Sequence, residues 1–308
     1  MEDNKSIFNT NCSIDGFKQV VYPAGYTIIL VIGLIENGFS CYIFMKSYSQ
    51  KSSVNVFMLN LVISDLMFII TLPFRIAYFL MQSDWKMGSV LCRIASYTLY
   101  VNLYGSIYFL TALSIIRYVA VVHPYKLLKL NSVSSAQWIC TGIWIFVLLA
   151  SSPLLLNGTR EVNGRRSCLE PVQKTSEKLM IMNNIVIVVG FIIPFCIICV
   201  CYVSVFITLM KANAKKNKMR ASSKKAMAMI IITMSIFLIC FLPYHILRTI
   251  FLIKRNQSMC NKVLHKVLVM TQCLAAANTC FDPLLYYFVG EHFREQIKRR
   301  ESTRINEN

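Results

Sequence analysis

Seven long stretches of this chain are almost wholly apolar, and short polar stretches separate them. They run over about 23–45, 54–81, 91–122, 137–157, 180–210, 223–253 and 264–288. As helices rising about 1.5 Å per residue, each is long enough to cross a hydrocarbon core about 30 Å thick. Backbone groups in lipid must find partners within their own segment, so each stretch is expected to be helical. Membrane-spanning β-strands would instead be short and alternating. The predicted architecture is an all-α membrane protein, a seven-transmembrane helix bundle over residues 23–288. Residues 1–22 are polar and read as an extracellular tail, and the first apolar run is too long to be the core of a cleavable leader. After the last span, "GEHFREQIKRR" sets Phe293 and Ile297 four residues apart among charges. That spacing predicts a short amphipathic helix on the membrane surface within 289–308, which also forms the cytoplasmic tail.

Composition leaves little room for anything else. The chain has 308 residues, 56% of them hydrophobic, and the seven spans consume nearly all of it. No soluble catalytic domain fits, and no metal-spaced His/Cys set or nucleophile–base motif argues for an enzyme. Four glycosylation sequons, at Asn4, Asn11, Asn157 and Asn256, all fall on the side of the N-terminal tail. They place the N-terminus outside the cell. Lys and Arg agree in part: 17 lie in the segments of the inner face, with the densest cluster in "KANAKKNKMRASSKK", but 12 lie on the outer face beside only seven acids. An outer surface this basic favours an anionic ligand. Of 12 cysteines, eight fall within spans and behave as small apolar residues. Cys12, Cys168 and Cys260 lie in the outer segments and Cys92 at the outer mouth of span three, and these four allow two disulfides in three pairings.

The charges inside the spans carry the chemistry. "VISDLMFIITLPFRIAYFL" holds both Asp65 and Arg75, and a charge at mid-membrane costs about 2.5–3.5 kcal/mol on insertion scales. Ten residues apart, they stand about 15 Å from each other along a helix and cannot pair. Asp65 points to the bundle interior, with Asp282, Asn102 and Ser106 as candidate partners. Asn102 and Ser106 are four apart and share a helix face. Two carboxylates, an amide and a hydroxyl make an oxygen cage for a small cation, since two converging acids need a cation or a shared proton. Glu36 either packs protonated between helices or extends this cluster. Arg75, after Pro73, and Arg248, after Pro243, fall in the outer thirds of their spans. Snorkelling to headgroups is one reading; the other is a shared anion pocket, because guanidinium binds carboxylate or phosphate through paired donors. Tyr78, Tyr97, Tyr100, Tyr104 and Tyr244 crowd the same zone, and Tyr97, Tyr100 and Tyr104 are spaced as one helical stripe. Proline lies inside spans six and seven, in "CFLPYH" and "FDPLLYYF", and is expected to hinge them.

These landmarks together resemble the rhodopsin-like G-protein-coupled receptors over about residues 20–300. The set comprises Asn37 in "ENG", Asp65 in "NLVISD", Cys92, Arg117-Tyr118, Trp144, Pro194, Tyr202, Pro243 in "FLPY", and Asp282, Pro283 and Tyr286 in "DPLLY". "SSVNVFMLNL", "TLPFR", "SYTLYVNLYGSIYFLT", "CFLPYHILRT" and "AAANTCFDPLLYYF" are more closely similar to the cysteinyl leukotriene receptors, their type 2 branch most of all.

That resemblance implies disulfides Cys92–Cys168 and Cys12–Cys260 and a sodium site at Asp65, Asn102, Ser106 and Asp282, with no other cofactor. It implies a leukotriene pocket lined by Arg75, Tyr100, Tyr104, Tyr244 and Arg248, with His265 and Lys266 near the ligand's peptide head. Arg117, Tyr118, Tyr202, Phe241, Pro243 and Tyr286 would form the switch that meets a Gq-type G protein and raises calcium. Arrestin is a further implied partner, membrane lipid surrounds the bundle at the plasma membrane, and nucleic acid has no role. The sequence also departs from the family. Ile116 stands where an acid usually precedes the Arg-Tyr pair, Glu36 stands where glycine is usual, and only Ser302 and Thr303 offer phosphorylation sites in the tail. A receptor for another anion, a nucleotide or a dicarboxylate, is the nearest rival. An ion-coupled transporter is a more distant one, lacking the internal repeats common in such proteins. A retinal pigment would need a lysine that residues 267–288 do not contain.

Overall fold

The computed structural model describes residues 13–46, 52–123, 132–156, 158–162, 164–168, 177–214, 221–256 and 261–289. Span one is α1 (Asp15–Lys46), and span two is α2 (Ser53–Ile69) followed by α3 (Leu72–Leu80). Span three is α4 (Ser89–Val122). Span four is α5 (Val133–Ser151), ending in a 3-10 turn over Ser152–Leu156. Span five is α6 (Glu177–Ile187), a π-helical turn (Val188–Ile192) and α7 (Ile193–Ala214). Span six repeats that plan with α8 (Ala221–Ser235), a π turn (Ile236–Phe241) and α9 (Leu242–Asn256). Span seven is α10 (Lys262–Ala276) and α11 (Asn278–Val289). The first six spans are each long and apolar enough to cross a membrane. The seventh is divided at Ala277.

The bounds fall within a few residues of the hydropathy runs, with one exception. Residues 15–22, expected in the tail, are helical and belong to span one. Ser13 Oγ accepts the Asp15 amide at 3.2 Å, and Lys18 bridges Asp15 at 3.4 Å. Tyr22 stacks on Phe79 with ring centroids 4.3 Å apart. This packing carries the helix through Pro23, where the hydropathy profile alone starts it.

Helix α4 runs through the middle, against α2, α5 and α7. Helices in lipid gain little from the hydrophobic effect and associate by close packing. Spans two and three approach so closely at Gly105 that a Cβ there would sit 3.0 Å from Ser64 Oγ. Phe57, Leu61, Phe109, Leu113, Phe237 and Tyr286 fill the central core, while Ile35, Trp138, Leu149 and Val200 face outward.

The kinks differ in place from the sequence expectation. In spans five and six a π turn precedes Pro194 and Pro243. Proline lacks an N–H and crowds the carbonyl four residues back, and a widened turn relieves that crowding. Tyr108 donates to the Val189 carbonyl within the first π turn at 2.8 Å. Gly190 is required there, since a Cβ would meet Tyr104 Cε1 at 2.8 Å. Span seven breaks at Ala277, six residues before Pro283. Span two breaks at Ile70–Thr71, where Thr71 Oγ1 donates back to Phe68 O at 2.7 Å.

The all-α expectation also missed a small hairpin. Strands β1 (Arg160–Val162) and β2 (Arg165–Ser167) pair antiparallel, with Glu161 opposite Arg166. Gly164 supplies the turn at φ 74°. Cys168 then joins Cys92 at the head of α4, with Cα atoms 5.9 Å apart. The Trp85 amide donates to Arg166 O at 2.8 Å, clamping the hairpin to the loop after span two.

Candidate functional site

Two polar sites lie one above the other inside the bundle. The outer one is built on arginine. Tyr244 and Arg248 are four apart on α9 and so share a face. Arg248 Nη1 donates to Tyr100 Oη on α4 at 2.7 Å and to Tyr244 Oη at 2.5 Å. Its guanidinium carbon lies 5.0 Å from the Tyr100 ring centre, a cation–π contact. Tyr104 stacks behind Tyr100 at 6.4 Å. Arg75, on α3, is only 2% exposed and therefore does not snorkel to the headgroups. It donates to the Ala95 carbonyl and lies 5.9 and 5.8 Å from the rings of Tyr26 and Phe68. Among the described residues neither arginine has a carboxylate partner. Both charges are thus held by neutral acceptors and aromatic faces, a costly arrangement that an anionic group would complete.

The inner site is acidic. Asp65, Ser106, Asn278 and Asp282 are fully buried, and Asn102 is nearly so. Asn102 Nδ2 donates to Asp65 Oδ1 at 2.8 Å, Thr279 Oγ1 donates to Asn102 Oδ1 at 3.5 Å, and Asn278 Nδ2 donates to Asp282 Oδ2 at 3.3 Å. Asp65 Oδ2, Asp282 Oδ1, Ser106 Oγ and Asn278 Oδ1 have no hydrogen-bond partner. Buried oxygens are almost always paired, so four left over at one place fit a small hard cation. The break at Ala277 turns Asn278 and Asp282 inward, and Asn37 secures it by donating to Thr279 O at 2.8 Å. A cavity of about 10 Å³ separates the two sites, walled by Leu99, Leu103, Tyr244 and Ala275 and touched by Asn102 and Gln272.

At the inner end, Ser114 Oγ and Tyr202 Oη are hydrogen-bonded at 2.7 Å, tying span three to span five. Tyr118 Oη and His123 Nε2 are 3.2 Å apart. Phe241 is fully buried edge-on to Phe237, and Tyr286 lies edge-on to Phe44. Arg117 is half-buried one position after Ile116.

The structure sorts the expected residues unevenly. Arg75, Tyr100, Tyr104, Tyr244 and Arg248 gather at the outer site, and Asp65, Asn102, Ser106 and Asp282 at the inner one. The tyrosine stripe splits, because span four offers Tyr97 a partner of its own: it donates to Leu148 O at 2.9 Å. Tyr78 is spent structurally, accepting the Cys168 amide at 3.3 Å. His265 and Lys266 diverge: His265 packs 4.9 Å from Phe251, while exposed Lys266 lies over Phe17. Among the described residues no hydrogen bond joins the Glu36 side chain to the acidic cluster, and its Oε2 is buried without a partner. The Cys12–Cys260 pair, Asn4, Asn11, Asn157 and the surface helix after residue 289 lie outside the described residues; Asn256 is the last residue of α9. Asn278, Thr279, Tyr26 and His245 were missed. Only Asn278, four before Asp282, left a spacing signal.

A seven-span bundle with a disulfide at the head of span three and stacked basic and acidic sites is a receptor's plan. The model of the family described as 7 transmembrane receptor (rhodopsin family) matches residues 36–286, and the chain belongs to that family. It is a multi-pass receptor of the plasma membrane and not an enzyme. It is 48% identical to the human cysteinyl leukotriene receptor 2 over 301 residues, 97% of this chain and 87% of that one. It is 47% identical to the mouse receptor of the same name over 293 residues, 95% of each. Human cysteinyl leukotriene receptor 1 is 42% identical over 303 residues, 96% of this chain and 89% of that one.

Proposed function

We propose that this receptor binds cysteinyl leukotrienes and signals through a Gq-type G protein to raise cytosolic calcium. The names of its relatives point to the ligand. The observation that carries the reading is the pair of guanidiniums, Arg75 and Arg248, sunk at the outer end with no carboxylate partner among the described residues. A carboxylate of the ligand takes over donors that Arg248 now spends on Tyr100 and Tyr244, and Arg75 holds a second polar group. The apolar tail lies among tyrosine and aliphatic side chains. Only a difference in affinity between two packings can shift their populations. Ligand that pulls on Arg248 acts on α9 beyond the π turn, and so biases span six. The active packing frees Tyr202 from Ser114 and opens Arg117 and Tyr286 to the G protein, with arrestin as a later partner.

Sodium occupies the inner site in the resting packing, held by Asp65, Ser106 and Asp282 with Asn102 positioning Asp65. Agonist and sodium are then reciprocally coupled.

The test is cytosolic calcium in transfected cells given cysteinyl leukotrienes, nucleotides or dicarboxylates. A saturable leukotriene response, lost in Arg75→Ala and Arg248→Ala at equal surface expression, supports the reading. Silence to leukotrienes with a response to another anion retires the ligand and keeps the basic pocket.

A further inference from the structure

Beside the arginine site lies a neutral polar pair that the ionic reading does not use. His245 is the next residue after Tyr244 and only 3% exposed. Its Nδ1 lies 2.8 Å from the Phe241 carbonyl. A carbonyl can only accept, so the proton sits on Nδ1 and the neutral ring offers a bare lone pair at Nε2. That Nε2 has no partner. The ring cannot turn to find one, because it is stacked on Phe191 at 4.6 Å and 14°. Tyr104 stands edge-on to it, with centroids 6.0 Å apart, and its hydroxyl is also buried without a partner. Gly190 lies against the Tyr104 ring, where a Cβ would sit 2.8 Å from Cε1. Two unmet groups are therefore carried by rings in edge-on contact: an obligate acceptor and a hydroxyl free to donate. Unpaired buried polar atoms are rare and costly. A hydroxyl satisfies both at once, donating to Nε2 and accepting from Tyr104. A charged carboxylate cannot, since it has nothing to donate to Nε2.

We infer that His245 Nε2 and Tyr104 Oη form a specificity subsite that reads a hydroxyl of the ligand, next to the anionic group held by Arg248. The inference rests on the proposed leukotriene reading and deepens it. Sites built to hydrogen-bond a hydroxyl reject analogues lacking it, because their own polar groups stay unpaired.

The experiment compares calcium responses to a cysteinyl leukotriene and to its analogue with hydrogen in place of the hydroxyl, on intact receptor in cells, with surface expression measured. In the natural receptor the analogue is expected to lose about tenfold in potency. In His245→Phe, which keeps the ring stack and removes the acceptor, the two ligands are expected to converge. His245→Gln restores part of the difference. Tyr104→Phe narrows it independently, which covers the case of a His245 variant that fails to reach the surface. Arg248→Ala weakens both ligands and preserves their ratio. A ratio unchanged in both His245→Phe and Tyr104→Phe overturns the subsite alone. A natural receptor silent to the leukotriene overturns the ligand reading, and the subsite with it.

Discussion

Asn102 donates to Asp65 across 2.8 Å and so ties span three to span two where neither side chain meets solvent. The bond fixes one carboxylate oxygen of Asp65 and leaves the other free to face Asp282. Agonist binding should therefore respond to sodium. Replacing sodium by an organic cation is expected to raise agonist affinity by about fivefold or more, and Asp65→Asn is expected to abolish that response. Radioligand competition in the two salts reads it directly; a sodium effect that survives in Asp65→Asn refutes the inner cation site.

Arg248 is the anchor of the outer site. Its loss to alanine removes charge-assisted hydrogen bonds worth about 2 kcal/mol, or roughly 30-fold in agonist potency. Tyr244→Phe and Tyr100→Phe leave the charge in place and are expected to cost less than Arg248→Ala. Dose–response curves at matched surface expression check the order.

The Ser114–Tyr202 bond restrains the inner end, where Ile116 rather than an acid precedes Arg117 in the sequence. Ser114→Ala deletes about 1 kcal/mol of that restraint and should raise basal signalling roughly fivefold. Agonist-free inositol phosphate accumulation measures it, and unchanged basal output would sink the latch.

Cys92 and Cys168 close a loop of separation 76, a crosslink worth about 4 kcal/mol on chain-entropy grounds. Either cysteine replaced by alanine should lower the melting temperature of the purified receptor, and replacing both should cost no more than replacing one. A further drop in the double variant would mean the two residues also contribute separately.

Gly190→Ala forces a Cβ against Tyr104. Overpacking of this kind costs about 1–3 kcal/mol, so reduced thermal stability and impaired agonist binding are expected together. An alanine variant as stable as the natural protein would show that the π turn can shift to make room.

Most of this plan was legible in the chain, for a physical reason. Lipid tolerates few charges, so Asp65, Arg75, Arg248 and Asp282 stand out against apolar runs and can only be there for one another or for a ligand. What could not be read depends on tertiary packing. The turn from Asp15 to Tyr22 is helical because Tyr22 finds Phe79, not because its sequence is apolar. Tyr97 and Tyr100 are indistinguishable by spacing, and only the neighbouring span decides that one serves the bundle wall and the other Arg248. The unmet nitrogen of His245 exists because Phe241 engages the opposite side of the ring, a relation no residue type announces. Thr279 enters the acidic site because the helix breaks before it, and Ala277 is not a residue that signals a break.

The two π turns make a residue's address along spans five and six differ from its compass bearing. Each turn carries one residue more than an α-helical turn of the same height, and one residue is about 100° of rotation. Everything beyond Ile192, and everything beyond Phe241, is rotated accordingly. Removing a single residue from either turn would leave composition, hydropathy and length almost untouched. It would nonetheless swing Tyr202 away from Ser114 in one span, and Tyr244 and Arg248 away from Tyr100 in the other. In these two helices the faces are set by counting, and an insertion or deletion of one residue is a more drastic change than most substitutions.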